Sequence, residues 1–292
     1  SHIPSGASVL DLGCGTGEIA VALANKGYCV TGLDYSSEML SEAASKAEKR
    51  GADVFFTCQD MTSFSVSHLY DAVVSCFDSL NYILTKDKLF SAFSACAAAL
   101  DKNGLFIFDM NAPAKFESLY ADNTFVIEED GIFCVWENEY NKKSSRCRFY
   151  INIFVEEGNA YKRYYEEQCE RSYRLSDIAD CLDKAGFELV SVSSDFNLTQ
   201  IDDNTERYYF RYYTNYFLVC HISTRVVFSI LQKNIEERQK SMVIRSLALS
   251  GYCLVLYSKN SAGQGIISIV FKADGPHNLY LLMNQILSKF SN

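Results

Sequence analysis

The sequence predicts an α/β protein built on a doubly wound, mostly parallel sheet, followed by a small α+β appendage. Three observations carry that expectation. Short apolar runs rich in β-branched and aromatic residues alternate with helix-length segments through the first 110 residues, as βαβ units do. A glycine-rich turn, "DLGCGTG" at 11–17, joins the first of these runs to the first helical stretch. From about residue 120 the alternation gives way to strands joined by short turns, and the texture changes again from about residue 214.

The elements follow in order. "ASVLDLG" ends at Gly13, "YCVTGLD" at Asp34, "DVFFTCQD" at Asp60, "YDAVVSCFD" at Asp78 and "GLFIFDM" at Met110. Each is long enough for a strand buried on both faces. Between them lie "EIAVALANKG", "SSEMLSEAASKAEKRG" and "KDKLFSAFSACAAALDKNG". These are rich in helix formers, and each closes on a glycine suited to a C-terminal cap. "TFVIEED", "IFCVWENEYN", "RCRFYINIFVEEG" and "AYKRYYEEQCERSYRL" read as an antiparallel set, an inserted β subdomain over about 122–173. "SDIADCLDKAGF" returns to helix, with Ser176 or Asp177 as N-cap and Gly186 at the end. "ELVSVSSDF" and "ERYYFRYY" then resume the sheet. The expected domains are 1–213 and an appendage, 214–292, of two strand-like runs, a charged helix at 233–256, a strand at 264–275 and a final helix.

Composition narrows the function classes. A chain of 292 residues with 48% hydrophobic and 22% charged residues buries a real core. A net charge of -9 without any basic run argues against a nucleic-acid surface. The eleven cysteines form no C-x-x-C pair and read as reduced core residues of a cytoplasmic protein. His2, His68, His221 and His277 are scattered, so no metal site is expected. The most apolar stretch, 216–231, is too short for a membrane span and carries His221 and Arg225. Nothing in the sequence points to a particular oligomeric state.

Glycines at a strand-to-helix turn let a backbone approach a polar ligand without a Cβ in the way. A dinucleotide fingerprint needs G-x-G-x-x-G, and here the last position is Glu18. A carboxylate beside a pyrophosphate is unfavourable, which disfavours a nicotinamide oxidoreductase. The spacing is instead D-x-G-x-G-x-G, with an acid leading the loop.

Asp11-Leu12-Gly13-Cys14-Gly15-Thr16-Gly17 resembles the first motif of the Rossmann-like S-adenosylmethionine-dependent methyltransferases. That resemblance implies a seven-stranded Rossmann-like sheet and S-adenosylmethionine as cofactor. It implies roles for Asp11, Gly13, Cys14 and Gly15 in the loop, for Asp34 at the ribose hydroxyls, and for Tyr35 as a further cofactor-binding residue. "CQDM" at 58–61 is similar to the adenine-binding segment, with Asp60 accepting from the exocyclic amine and Met61 packing on the ring. "SCFDSLNYI" is similar to the segment under the methionine moiety, which assigns Cys76 and Phe77 there. Plainer roles stay open: Asp11 as a loop cap, Asp34 as the N-cap of the next helix, Asp60 as a turn residue, Cys76 and Phe77 as core.

The inserted strands and the "TERYYF" strand resemble a subgroup with a β cover over the active site and a small-molecule methyl acceptor. No Asn-Pro-Pro-Tyr-like signature follows the fourth strand, which argues against amide or base N-methylation. Methyl transfer from a sulfonium is an in-line displacement governed by alignment and exclusion of water. Asp78, Asn81 and Tyr82 are the expected catalytic residues, with Tyr164, Tyr165 and Glu167 on the inserted sheet as further acceptor-side groups and Trp136 as core. All could equally be loop-capping or surface residues. The family's helical N-terminal cover is expected to be missing, because the first strand begins only about eight residues in. A catalytically weak cofactor-binding protein is therefore the second expectation. Residues 215–277 weakly resemble the start of the heat-shock 33 type redox chaperone, without its zinc cysteines.

Overall fold

The computed structural model describes residues 3–195, 197–214, 217–220, 253–259 and 265–272. The chain divides into two compact units, Ser1–Thr214 and Asn215–Asn292. The first begins with β1 (Ser8–Leu12), α1 (Glu18–Ala24), β2 (Cys29–Asp34), α2 (Ser37–Lys49) and β3 (Val54–Cys58). It continues with β4 (Tyr70–Ser75), a 3-10 turn (Ser79–Tyr82), α3 (Lys86–Ala99), β5 (Leu100–Asn111) and a π-helical turn (Lys115–Tyr120). Then come β6 (Thr124–Glu129), β7 (Ile132–Asn141), β8 (Arg146–Glu157) and β9 (Ala160–Arg171). The unit closes with α4 (Leu175–Lys184), β10 (Phe187–Ser193) and β11 (Arg207–Thr214).

The main sheet has the order β10-β11-β5-β4-β1-β2-β3. Strands β1 to β5 run parallel, and β11 pairs antiparallel with both β5 and β10. This is the doubly wound, mostly parallel seven-stranded sheet of the expectation. The chain starts in the middle, winds out to β3 and crosses back to β4. That places a topological switch between β1 and β4, and the crevice there opens at the carboxyl ends of the strands.

Burial explains the strands. Val9, Leu10 and Leu12 are fully buried, as a strand covered on both faces requires. Phe93 of α3 packs on Phe106 and Phe108 of β5, with ring centroids 5.9 and 5.6 Å apart. Phe108 in turn stacks on Phe210 of β11 at 4.5 Å. Burying each such ring is worth roughly 1.5–3 kcal/mol, so this aromatic column holds β11 on β5. Strands β6 to β9 form a separate antiparallel sheet in sequence order. Its small core of Phe116, Tyr120, Cys147 and Phe149 takes in the Trp136 ring.

Local differences from expectation have local causes. β4 ends at Ser75, so Cys76, Phe77 and Asp78 lie in the turn and not in the strand. α4 starts from Arg174, ahead of Ser176 and Asp177. α3 runs straight into β5, and in "DKNG" the left-handed residue is Asn103 (φ 58). Gly104 is required for space instead, because a Cβ there would lie 2.8 Å from the Asp101 carbonyl oxygen. Cys29, expected in the core, is exposed at the first position of β2.

In the second unit β12 (Phe217–Cys220), β13 (Cys253–Lys259) and β14 (Gly265–Lys272) form an antiparallel sheet of order β12-β14-β13. The four residues at 253–256, expected to end a charged helix, are strand. The rest of that helix and the final helix lie outside the described residues.

Candidate active site

Gly13, Gly15 and Gly17 all have left-handed backbones, with φ of 71, 53 and 78°. A Cβ at Gly13 would stand 2.8 Å from Ser79 Cβ and 3.2 Å from Met61 Cε. One at Gly17 would stand 2.8 Å from Ala43 Cβ, where α1 meets α2. Only glycine permits both the dihedral and the approach. The loop is stitched to β2, since the amides of Gly13 and Cys14 both donate to the Leu33 carbonyl (2.8 and 3.0 Å).

The acids at the strand ends differ in state. Asp34 accepts from Gly15 N at 2.8 Å and from Ser36 N at 3.0 Å, so its carboxylate is aimed by the loop it faces. Ser36, not Asp34, is the cap of α2, accepting from Met39 N. Asp11 is 2% exposed; its carboxylate accepts from the Ala20 amide, but Oδ2 has no partner. Burial, reinforced by the Asp34 charge, pushes its carboxyl up to about 7. Asp60 is exposed and turns Oδ1 to Thr62 N and Oγ1, both at 2.8 Å, which holds its carboxyl below the usual range. Tyr35 stands 78% exposed beside the groove. Burial, with the Asp11 and Asp109 charges, pushes the Cys76 thiol up to about 12, and burial raises Cys14 similarly. Glu18 points away to α2, paired with Lys46 at 2.7 Å and Arg50 at 3.0 Å.

The turn after β4 is strained. Phe77 and Asp78 are both left-handed, with φ of 57 and 55°, a cost of order 1–3 kcal/mol each. Their amides donate to the two oxygens of Asp109 at 2.8 and 3.0 Å. Arg207 of β11 donates to Asp109 Oδ2 and, at 2.7 Å, to Asp78 Oδ1. Two strands thus over-determine the turn. Phe77 is left 70% exposed at its tip.

Asn81 corrects an expectation. It is fully buried, donating to the carbonyls of Asn111 (3.2 Å) and Arg171 (2.9 Å) and accepting from Asn111 N at 2.9 Å. Such a side chain braces β5 against β9 and has no free face for an acceptor. Tyr82 is 44% exposed and donates to Gln168 Oε1 at 2.7 Å. Burial first, then the Glu170 and Asp78 charges, raise its phenol, so it acts as a donor and not a base. Tyr164, Tyr165 and Glu167 lie on exposed β9 positions. The inward residues of β9 at this place are Gln168 and Glu170.

Glu170 is 3% exposed, accepts from Asn111 Nδ2 at 3.3 Å and is hydrogen-bonded to the Asp78 carboxyl. Burial, then the Asp78 charge, pushes it up to about 8. Lys115 sits over the Tyr120 ring at 5.0 Å and donates to Asn111 Oδ1 at 3.1 Å. Asp109, Arg207 and Glu170 were not singled out in the sequence, although "FDM" and "TERYYF" contain two of them.

Among the described residues there is no group of three or more His, Cys, Asp or Glu fit to bind a metal, and no helix is long and apolar enough to cross a membrane. The groove does match the groups of S-adenosylmethionine. The glycine loop has space that a Cβ would fill, Asp34 offers a prepositioned carboxylate for hydroxyls, and buried Asp11 has a spare oxygen.

Comparison with known proteins agrees. Residues 9–104 match the family described as a methyltransferase domain. The methyltransferase-named protein YqeM of Bacillus subtilis is 34% identical over 212 residues, 72% of this chain and 85% of that one. An S-adenosylmethionine-dependent methyltransferase structure from Clostridium acetobutylicum superposes with a TM-score of 0.67 at 32% identity, over 71% of this chain and 84% of that one. A dTDP-3-amino-3,4,6-trideoxy-alpha-D-glucopyranose N,N-dimethyltransferase of Streptomyces venezuelae is 26% identical over 170 residues, 57% of this chain and 69% of that one. With sheet order, glycine loop and relatedness over most of the length of these proteins in accord, the chain belongs to the class I S-adenosylmethionine-dependent methyltransferases.

Proposed function

We propose that this enzyme methylates a small-molecule acceptor held where the turn after β4 faces the inserted sheet. The observation that carries the proposal is that one short turn touches both sides. Ser79 Oγ donates to the Gly13 carbonyl at 3.2 Å, and Tyr82, three residues on, donates to Gln168 of β9. The net charge of -9 and the amino-sugar methyltransferase among the relatives support a small acceptor over a nucleic acid.

Bound S-adenosylmethionine supplies an electrophilic methyl group on a positively charged sulfur. The chain's own residues then do the positioning. Asp34 accepts from the ribose hydroxyls, each such bond to a charged group worth roughly 1.5–3 kcal/mol. Asp60 offers Oδ2 to the adenine amine, and Met61 and Tyr35 pack against the ring. Asp11, behind the loop of Gly13, Cys14 and Gly15, would offer its unpartnered oxygen to the ammonium end. Cys76 and Phe77 line the methionine end. Asp78 and Tyr82 orient the acceptor, and holding it in line accounts for up to roughly 7–11 kcal/mol of rate enhancement in favourable cases. A cell extract incubated with methyl-labelled S-adenosylmethionine tests this. Label is expected in the low-mass fraction and absent with Asp34→Ala; label in protein or nucleic acid alone refutes the small acceptor.

A further inference from the structure

We propose that Asp78 and Glu170 form a proton-accepting carboxyl pair that makes an amine the methyl acceptor, a step that rests on the small-molecule site described above. The two carboxyls are hydrogen-bonded to each other. Asp78 is the forward member, its side chain 17% exposed and one residue from the Ser79 that touches the glycine loop. Glu170 stands behind it, held by Asn111, and acts through Asp78 as a positioning residue.

The surrounding charge suits a cation. Asp78, Asp109 and Glu170 face two cationic side chains, Arg207 and Lys115. Once Glu170 ionises, above about 8, these three carboxyls exceed the two cations by one negative charge, Glu206 adds more beside Lys115, and an ammonium offsets it. Tyr82 and Tyr120 also face the pair and stay protonated, since burial and these same carboxyls raise both phenols. Glu166, further along β9, adds negative charge at Tyr82, and buried Cys147 of β8 is raised by burial and by Glu170.

The chemistry balances. An amine arriving as ammonium has no free lone pair. With Glu170 ionised, an N–H bond breaks and its proton passes by way of Asp78 to Glu170. The freed nitrogen pair bonds to the methyl carbon, the carbon–sulfur bond breaks, and its electrons neutralise the sulfonium. The pair then returns its proton to water. An ordinary carboxylate, near ~4.3, is far too weak a base for an alkylammonium near ~10. Glu170, raised to about 8 by burial and by the Asp78 charge, closes most of that gap as the holder of the proton. A hydroxyl as weakly acidic as water, near ~16, stays out of its reach.

The test titrates full-length protein carrying 13C-labelled glutamate carboxyls by NMR, with and without S-adenosylhomocysteine. Glucosamine and glucose serve as matched amine and hydroxyl probes. One signal, absent in Glu170→Gln, is expected to titrate near 8 and to fall in Asp78→Asn, with burial still holding it above the ordinary carboxylate range. Glucosamine should weaken its proton affinity at least about tenfold while glucose leaves it unmoved. Glucosamine turnover in wild type, divided by that of Glu170→Gln so that the sugar's own ammonium titration cancels, should rise with pH through that midpoint, and Glu170→Gln should lower kcat without changing KM for the cofactor. An ordinary-range Glu170, equal responses to the two sugars, no response to glucosamine, or methylation of oxygen acceptors alone overturns the proposal. Failure of wild-type protein to bind S-adenosylhomocysteine would instead strike the cofactor-groove assignment, because the carboxyl titration is also read without it.

Discussion

Replacing Arg207 with methionine removes one guanidinium from between two carboxylates while keeping its bulk. Asp109, 9% exposed at its side chain, retains the amides of Phe77 and Asp78, but Asp78 loses its ion-pair partner and keeps the Glu170 carboxyl beside it. Breaking a buried pair by removing one partner costs about 3–5 kcal/mol. Because Arg207 and Asp78 retain 21% and 17% side-chain exposure, the lower part of that range is expected, about 3 kcal/mol. Urea unfolding at neutral pH, with m unchanged, measures it. Adding Asp78→Asn removes the stranded charge and should return about 1–3 kcal/mol, a non-additivity characteristic of contacting groups. A single-variant loss under about 1 kcal/mol, the range of exposed pairs, refutes the assignment of Arg207 as the clamp of this turn.

The remaining predictions are more local. The Glu170 carboxyl is protonated in the fold up to about 8 but ionises near 4.5 when unfolded, so its contribution to wild-type stability falls as pH rises across that window. At about 1.36 kcal/mol per unit this amounts to at most about 5 kcal/mol; Glu170→Gln should therefore gain about 2–5 kcal/mol on wild type between about pH 5 and pH 9 in paired urea melts, and parallel pH curves would contradict it. Gly13→Ala forces a Cβ onto Ser79 at a left-handed φ and should cost about 1–3 kcal/mol by thermal unfolding, with S-adenosylmethionine binding weakened further. Asp34→Asn should weaken that binding by about 1.5–3 kcal/mol in calorimetry with little change in melting temperature. Asn81→Ala unpairs buried groups on β5 and β9 and should cost about 2–4 kcal/mol while leaving cofactor affinity near wild type.

What could be read from the sequence was local. The apolar runs ending at Asp34 and Asp60 and the acid-led glycine loop need only near neighbours to form, and the parallel sheet follows from their spacing. Asn81 misled because a polar residue after a strand looks available until the carbonyls of Asn111 and Arg171, 30 and 90 residues away, converge on it. Glu170 was missed for a related reason. Alternation puts Glu166, Gln168 and Glu170 on one face of β9, but only the docking of the inserted sheet decides that this face turns inward. Arg207 meets Asp109 because antiparallel pairing sets it opposite Asn111, a register that no local pattern encodes.

That register also sets when the turn after β4 is completed. Arg207 reaches back 98 residues to Asp109 and 129 to Asp78, so the strained turn is secured only after β11 has been made and has paired with β5. Loop closure over such separations is slow compared with forming the βαβ units, and synthesis releases the chain from its N-terminal end. A nascent chain can therefore assemble the glycine loop and β1 to β5 before the turn after β4 is clamped. Forming the glycine loop and clamping the turn become separate events in the folding of one polypeptide, with the pairing of β11 on β5 as the step that divides them.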